Sequence, residues 1–264
     1  MEVDMRRFLC FVATTLLLGA CGQSDGGGSG RSTGGSSLPQ GGQDVPIDPT
    51  KFSVNITNLY WPMSPGRRWS YVERELDGSE ATAVTIVTDQ TKVLANGVTV
   101  RVVRDTLTRD GEVIEDTIDY YAQDDAGNIW YFGEQTAEFD NGVVTTTAGS
   151  FEAGVDGALG GIAVPAEPIA GMTYRQEYLR GEAEDNGAVL STDELATVPT
   201  GSYRNVLLTK DTTPLEPDLL EYKLYAKGVG PVLVLTASGG STRTELISVD
   251  VAPAGAGTGP IGNP

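Results

Sequence analysis

With no histidine in 264 residues, and 36 aspartates and glutamates against 18 lysines and arginines, this chain must do any chemistry through carboxylate oxygens. Lacking imidazole, it loses the commonest general base, the Ser-His and Cys-His nucleophile pairs and the preferred zinc ligand. Carboxylates can still ligate calcium or hydrolyse a glycosidic bond as a spaced pair. The densest group is Glu182, Glu184 and Asp185, which follows Arg175, Glu177 and Arg180. Its donors suit calcium, but it lacks the alternating Asp-x-Asp-x-Asp-Gly spacing of a calcium loop. In a chain of net charge −18 a solvated turn is the plainer account.

Glu115, Asp116 and Asp119 fall on one strand, with Glu115 and Asp119 on the same side. Four residues of strand separate two side chains by about 13 Å, whereas a glycosidase pair stands roughly 5–9.5 Å apart. Cross-strand pairing with Arg101 or Arg104 explains these acids more economically. Asp124-Asp125-Ala126-Gly127-Asn128 reads as a turn, because Asp and Asn bond their own backbone and Gly accepts positive φ. No residue is therefore assigned a catalytic role. Trp130 and Phe132 flank Tyr131 and share a sheet face; with Trp69 and Tyr178 they are the candidates to line a concave wall for an apolar ligand. Core packing is the competing account for all four.

Cys21 carries a different chemistry. Arg6 and Arg7 precede the apolar run from Phe8 to Leu18, and Leu18-Gly19-Ala20-Cys21 forms a lipobox. The run is shorter than the roughly 18–20 residues of a spanning helix and fits a signal peptide. Glu2 and Asp4 cancel the two arginines, so Met5 is the better start than Met1. The lipobox predicts a diacylglyceryl thioether on Cys21 after removal of residues 1–20, and two acyl chains are enough for stable anchoring. Cys10 leaves with the leader, so the mature domain has no disulfide. The leader holds two acids and two bases, so cleavage leaves the charge at −18, which repels nucleic acid and disfavours it as a partner. Gly22 in place of an aspartate points to the outer membrane if the cell has two.

These residues must be positioned by strands. Residues 21–51 are the lipidated cysteine and a tether, most of it rich in Gly and Ser, with a reach of roughly 30 Å. Residues 52–251 alternate apolar and polar positions in about a dozen short segments, broken by Asp77-Gly78, Asp110-Gly111 and Asn141-Gly142. Such dipeptides mark tight hairpins. The expected fold is all-β and mostly antiparallel: a large curled sheet or open barrel, or alternatively a β-sandwich, with little helix beyond the leader. The Gly/Ala/Pro-rich stretch 151–168 reads as irregular, and residues 252–264 read as an unstructured tail.

The stretch Asn58-Leu59-Tyr60-Trp61-Pro62-Met63-Ser64-Pro65-Gly66-Arg67-Arg68-Trp69-Ser70-Tyr71 resembles the opening of a group of uncharacterised bacterial exported and lipoprotein domains. The resemblance continues through Gly127-Asn128-Ile129-Trp130-Tyr131-Phe132-Gly133-Glu134 and Tyr174-Arg175-Gln176-Glu177-Tyr178, and covers nearly all of residues 58–249. Tyr225-Ala226-Lys227-Gly228-Val229-Gly230 also looks like the end of half-barrel envelope domains related in shape to lipoprotein carriers. The resemblance implies an extracytoplasmic β domain and no particular reaction. The expectation is an anchored, non-catalytic binding or scaffolding domain for a lipid or an envelope protein. An extracytoplasmic carboxylate hydrolase is the alternative.

Overall fold

The computed structural model describes residues 38–264; the leader, Cys21 and the first part of the tether lie outside the described residues. A single turn of 3-10 helix at Pro49–Lys51 leads into β1 (Phe52–Ser53). The long meander is β2 (Arg67–Arg74), β3 (Glu80–Val93), β4 (Thr99–Arg109), β5 (Glu112–Asp124) and β6 (Ile129–Asp140). Four short strands follow: β7 (Val143–Thr146), β8 (Phe151–Glu152), β9 (Leu159–Val164) and β10 (Thr173–Arg175). The chain then forms β11 (Glu177–Tyr178), β12 (Asn186–Val198), β13 (Gly201–Thr212), β14 (Leu220–Ala226), β15 (Gly230–Ser238) and β16 (Arg243–Val251).

All of these strands belong to one antiparallel sheet, in the order β10-β12-β13-β14-β15-β16-β2-β3-β4-β5-β6-β9-β11, so the sandwich alternative is not realised. The two ends of that path, β10 and β11, are separated in sequence by Gln176 alone. One short stretch thus supplies both edges and brings the curled sheet to a nearly closed barrel. Gln176 N–H donates to Asp185 O at 2.8 Å across this seam. The predicted hairpins form where glycine follows an acid or amide: Asp110 and Gly111 both have positive φ, as do Asn141 and Gly142. This matches the right-handed twist of the flanking strands.

Two segments differ from their composition. Residues 151–168 are not simply irregular, because β8 and β9 pair with β6 there. Gly133 permits this by opening a bulge at φ 149°, where a Cβ would meet Phe151 O at 2.4 Å. The tail is held as well: Arg104 donates to Gly259 O and Pro260 O, and Gly262 N–H donates to the Asp116 carboxylate. At the other end, Arg175 fixes the last part of the tether. Its backbone N–H donates to Pro39 O, and its Nη1 donates to Gly41 O and Gln43 O, both at 2.6 Å. Residues 39–43 and 259–262 lie against the sheet because buried arginines bind their main-chain carbonyls, a contact that needs no apolar side chain and is invisible to composition.

Candidate functional site

Alternation gives the sheet an inward face and an outward one. In β2 the buried residues are Trp69, Tyr71 and Glu73, between half-buried neighbours. Register carries that face across the meander: Tyr71 stands opposite Ala83, Ala83 opposite Leu107, and Leu107 opposite Glu115. The inward face is therefore built from aromatics and carboxylates together. Glu73, Asp105, Glu115, Asp119, Glu134, Glu177, Asp185 and Asp211 are all buried. Asp119 stands directly opposite Glu134, and Asp211 opposite Glu221.

Burial of so many acids shifts their ionisation. Glu73 is pushed up to about 8, chiefly by burial, against the Thr244 hydroxyl that donates to it at 3.0 Å. Asp105 rises to about 6 for the same reason, opposed by the Thr85 hydroxyl at 2.6 Å. Asp185 rises to about 7, again through burial, with the Thr213 hydroxyl and Lys223 opposing. Glu115, Glu134 and Glu177 lie well above the usual carboxylate range, through burial first and then through neighbouring acids. Near pH 7 Glu73 is thus mostly protonated, Asp185 is about half protonated and Asp105 is mostly ionised, and each upward shift lessens the repulsion that the spacing would impose. Lys223 sits among them with its Nζ 2.8 Å from Asp211. Burial works against its charge, but Asp211 and Glu221 outweigh that and raise its pKa.

Several inward polar atoms lack a hydrogen-bond partner among the described residues: Glu177 Oε2, Gln176 Oε1 and the Tyr174 hydroxyl. A cavity of about 20 Å³ between Trp61, Tyr121, Gln176, Lys223 and Tyr225 has room for about one water. A larger open cleft of about 340 Å³ is bordered by Lys92, Tyr120, Glu134, Phe151, Glu152 and Asp156. Within it Lys92 Nζ lies 4.2 Å from the Tyr120 ring centroid and 2.7 Å from Glu152.

The residues singled out in the sequence divide differently from the expectation. Glu182 is exposed, Glu184 is half-buried and accepts from Gly181 N–H at 2.7 Å, and Asp185 points into the interior. Glu182 lies in the turn that the Leu179–Ala183 bridge closes, Glu184 folds back onto that turn, and Asp185 alone is buried, so the three do not converge. Among the described residues no group of three or more carboxylates, thiols or imidazoles is arranged to hold a metal ion.

The aromatic wall is corrected too. Trp69 is inward, with its Nε1 donating to Val229 O at 2.7 Å. Trp130 and Phe132 stack on each other on the outward face beneath Phe52, and Tyr131 is the inward residue, stacked on Tyr121. Tyr178 packs against Gly42 of the tether. These four aromatics are structural residues on different faces. Asp124 forms the expected turn, accepting from the N–H groups of Ala126 and Asn128 and from Trp130 Nε1. Glu115 and Asp119 share the inward face, but it is Asp116, on the outward face, that pairs with Arg104.

The inward acid set was missed as a set. Its signal was the alternation Glu115, Thr117, Asp119 and Trp69, Tyr71, Glu73, which gives side but not depth.

No family model matches the chain, and no curated protein does. Among solved structures it is similar to a protein from Bacteroides fragilis NCTC 9343 described as exported and of YmcC-like fold. The two share 14% identity at a TM-score of 0.44, over 73% of this chain and 99% of that one. It is also similar to a protein from Parabacteroides distasonis ATCC 8503 described as a lipoprotein, with 12% identity, a TM-score of 0.39 and the same coverage.

Proposed function

We propose that this chain is an envelope lipoprotein, anchored outside the cytoplasm through the lipid on Cys21, whose barrel binds or scaffolds partner proteins and does not catalyse. The observation that carries the reading is the inward face: among the described residues, inward carboxyls and aromatics are buried together behind a nearly closed sheet, and a cavity beside them has room for about one water. That interior favours recognition at the outer surface over carriage of an apolar ligand inside. The tether read from the sequence over residues 21–51 has a reach of roughly 30 Å. Partners would therefore lie close to the membrane, in the outer membrane if the cell has two. Native mass spectrometry of the chain extracted from membranes tests this. The expected species carries lipid mass at Cys21 and no further apolar molecule. A stoichiometric apolar ligand that survives delipidation of Cys21 would overturn the scaffold reading.

One observation favours a hydrolase as second reading. The open cleft is bordered by Glu134, whose pKa burial raises, and by Glu152, whose pKa is lowered by Lys92 and the Ala95 N–H against the effect of burial. Carboxyls pushed apart in this way divide into acid and base roles. Both Glu152 oxygens are already engaged, by Lys92 and Ala95, which leaves this reading second. Turnover of aryl glycosides that disappears in Glu134→Gln would reverse the order.

A further inference from the structure

The outward face of β3, β4 and β5 carries a feature that the inward face does not explain. Arg104 and Asp116 form a bidentate ion pair there, and each is almost fully shielded from water. A buried ion pair needs its remaining donors and acceptors satisfied. Thr106 supplies one hydroxyl to Asp116 at 3.0 Å. The rest comes from the tail: Arg104 Nη1 donates to Gly259 O at 2.7 Å, Arg104 Nη2 donates to Pro260 O at 2.9 Å, and Gly262 N–H donates to Asp116 at 2.6 Å.

All three of these bonds use main-chain atoms of the tail. Selectivity comes instead from close approach. A Cβ at Gly257 would lie 3.1 Å from the Arg104 Cβ, and one at Gly262 would lie 2.8 Å from the Phe139 ring; both residues also have positive φ. The face thus reads a pattern: a glycine, two carbonyls from the third and fourth positions of the segment, then a glycine whose N–H is offered to the carboxylate. The proline at the fourth position has no N–H to compete, and its carbonyl also accepts from Asn263 N–H at 2.9 Å, closing a turn.

We infer that this face is a peptide groove for a turned Gly/Pro-rich segment, occupied in cis by residues 257–262 and able to accept the same segment from a second copy of the chain. The exchange has a built-in hinge, because residues 253–255 are exposed and join the tail to β16. Contacts in the swapped arrangement would equal those in the closed one. Only the high effective concentration of the attached tail then favours the cis form. The inference is independent of whether the interior binds a ligand.

The test uses the full-length chain in detergent, a variant lacking residues 254–264, and a labelled peptide of residues 252–264. By fluorescence anisotropy the truncated chain is expected to bind the peptide at least tenfold more tightly than the intact chain. Peptides carrying Gly257→Val or Gly262→Val should bind at least tenfold more weakly than the natural one. At high concentration the intact chain should form a dimer that the truncated chain does not form. Absence of peptide binding by a truncated chain with native near-UV circular dichroism would overturn the inference, and so would equal binding of the substituted peptides. If truncation unfolds the barrel, the full-length Gly262→Val chain serves instead. Its own tail is expelled while its sheet sequence is unchanged, so failure to gain peptide binding over the intact chain counts against the groove.

Discussion

A domain in which burial raises the pKa of several interior acids should be stabilised by acid and weakened by base, the reverse of ordinary acid denaturation. Consider Glu73, Asp105 and Asp185, raised to about 8, 6 and 7 from starting values of 4.5, 3.8 and 3.8. A raised carboxyl binds more protons in the folded state than in the unfolded state between the two pKa values. Its stabilisation is therefore full below the unfolded pKa and is lost as pH climbs through the folded one. At about 1.4 kcal/mol per pKa unit, the change from pH 5 to pH 8 costs about 3 kcal/mol at Glu73, about 1 at Asp105 and about 3 at Asp185. Together that is about 7 kcal/mol, comparable with the whole stability of a typical domain. Glu115, Glu134 and Glu177 act in the same direction. Urea unfolding followed by near-UV circular dichroism reads the effect. With a slope of about 3 kcal/mol per molar, the midpoint should fall by about 2 M from pH 5 to pH 8. A midpoint that is flat or rises over that range would refute the assignment of these groups as buried neutral acids.

Three substitutions probe the elements that close the barrel. Lys223→Met leaves Asp211 buried without its cation and should cost about 3–5 kcal/mol in urea unfolding at pH 7, with most of the loss recovered in Lys223→Met/Asp211→Leu. Arg175→Ala removes the donors to Gly41, Gln43 and Gly160; it should cost about 3 kcal/mol and speed amide exchange at residues 39–43 and 173–178, while the β3–β5 meander stays protected. Gly187→Ala places a Cβ 2.3 Å from the Tyr174 ring and should cost about 1–3 kcal/mol by overpacking, seen as a lower melting temperature.

The meander was legible because its cues are local. Asp110-Gly111 and Asn141-Gly142 specify tight turns through their own φ preferences, and the period of two in Arg67–Arg74 assigns each residue a side. What alternation cannot supply is which side is closed. Trp130, Tyr131 and Phe132 are equally aromatic, and only the partners on adjoining strands put Tyr131 inside and the other two under Phe52. The Glu182–Asp185 cluster reads from its composition as a solvated turn, and a turn closed by the Leu179–Ala183 bridge stands there, though the burial of Asp185 depends on neighbours that its own sequence does not name. Conversely, Glu134 and Glu177 are 43 positions apart and influence each other in the interior. The docking of residues 39–43 and 259–262 was hidden because Gly/Pro-rich segments bury little apolar surface, and here they are held by Arg175 and Arg104 instead.

The central claim is that the barrel works as a lipid-anchored domain, and Cys21 tests it most directly. Intact-mass analysis of membrane-extracted chain should show a polypeptide beginning at Cys21 with the added mass of a diacylglyceryl group. Cys21→Ser should move the protein to the aqueous fraction or leave the leader attached. An unmodified Cys21, or a Cys21→Ser chain that partitions to membranes with unchanged mass, would contradict the account.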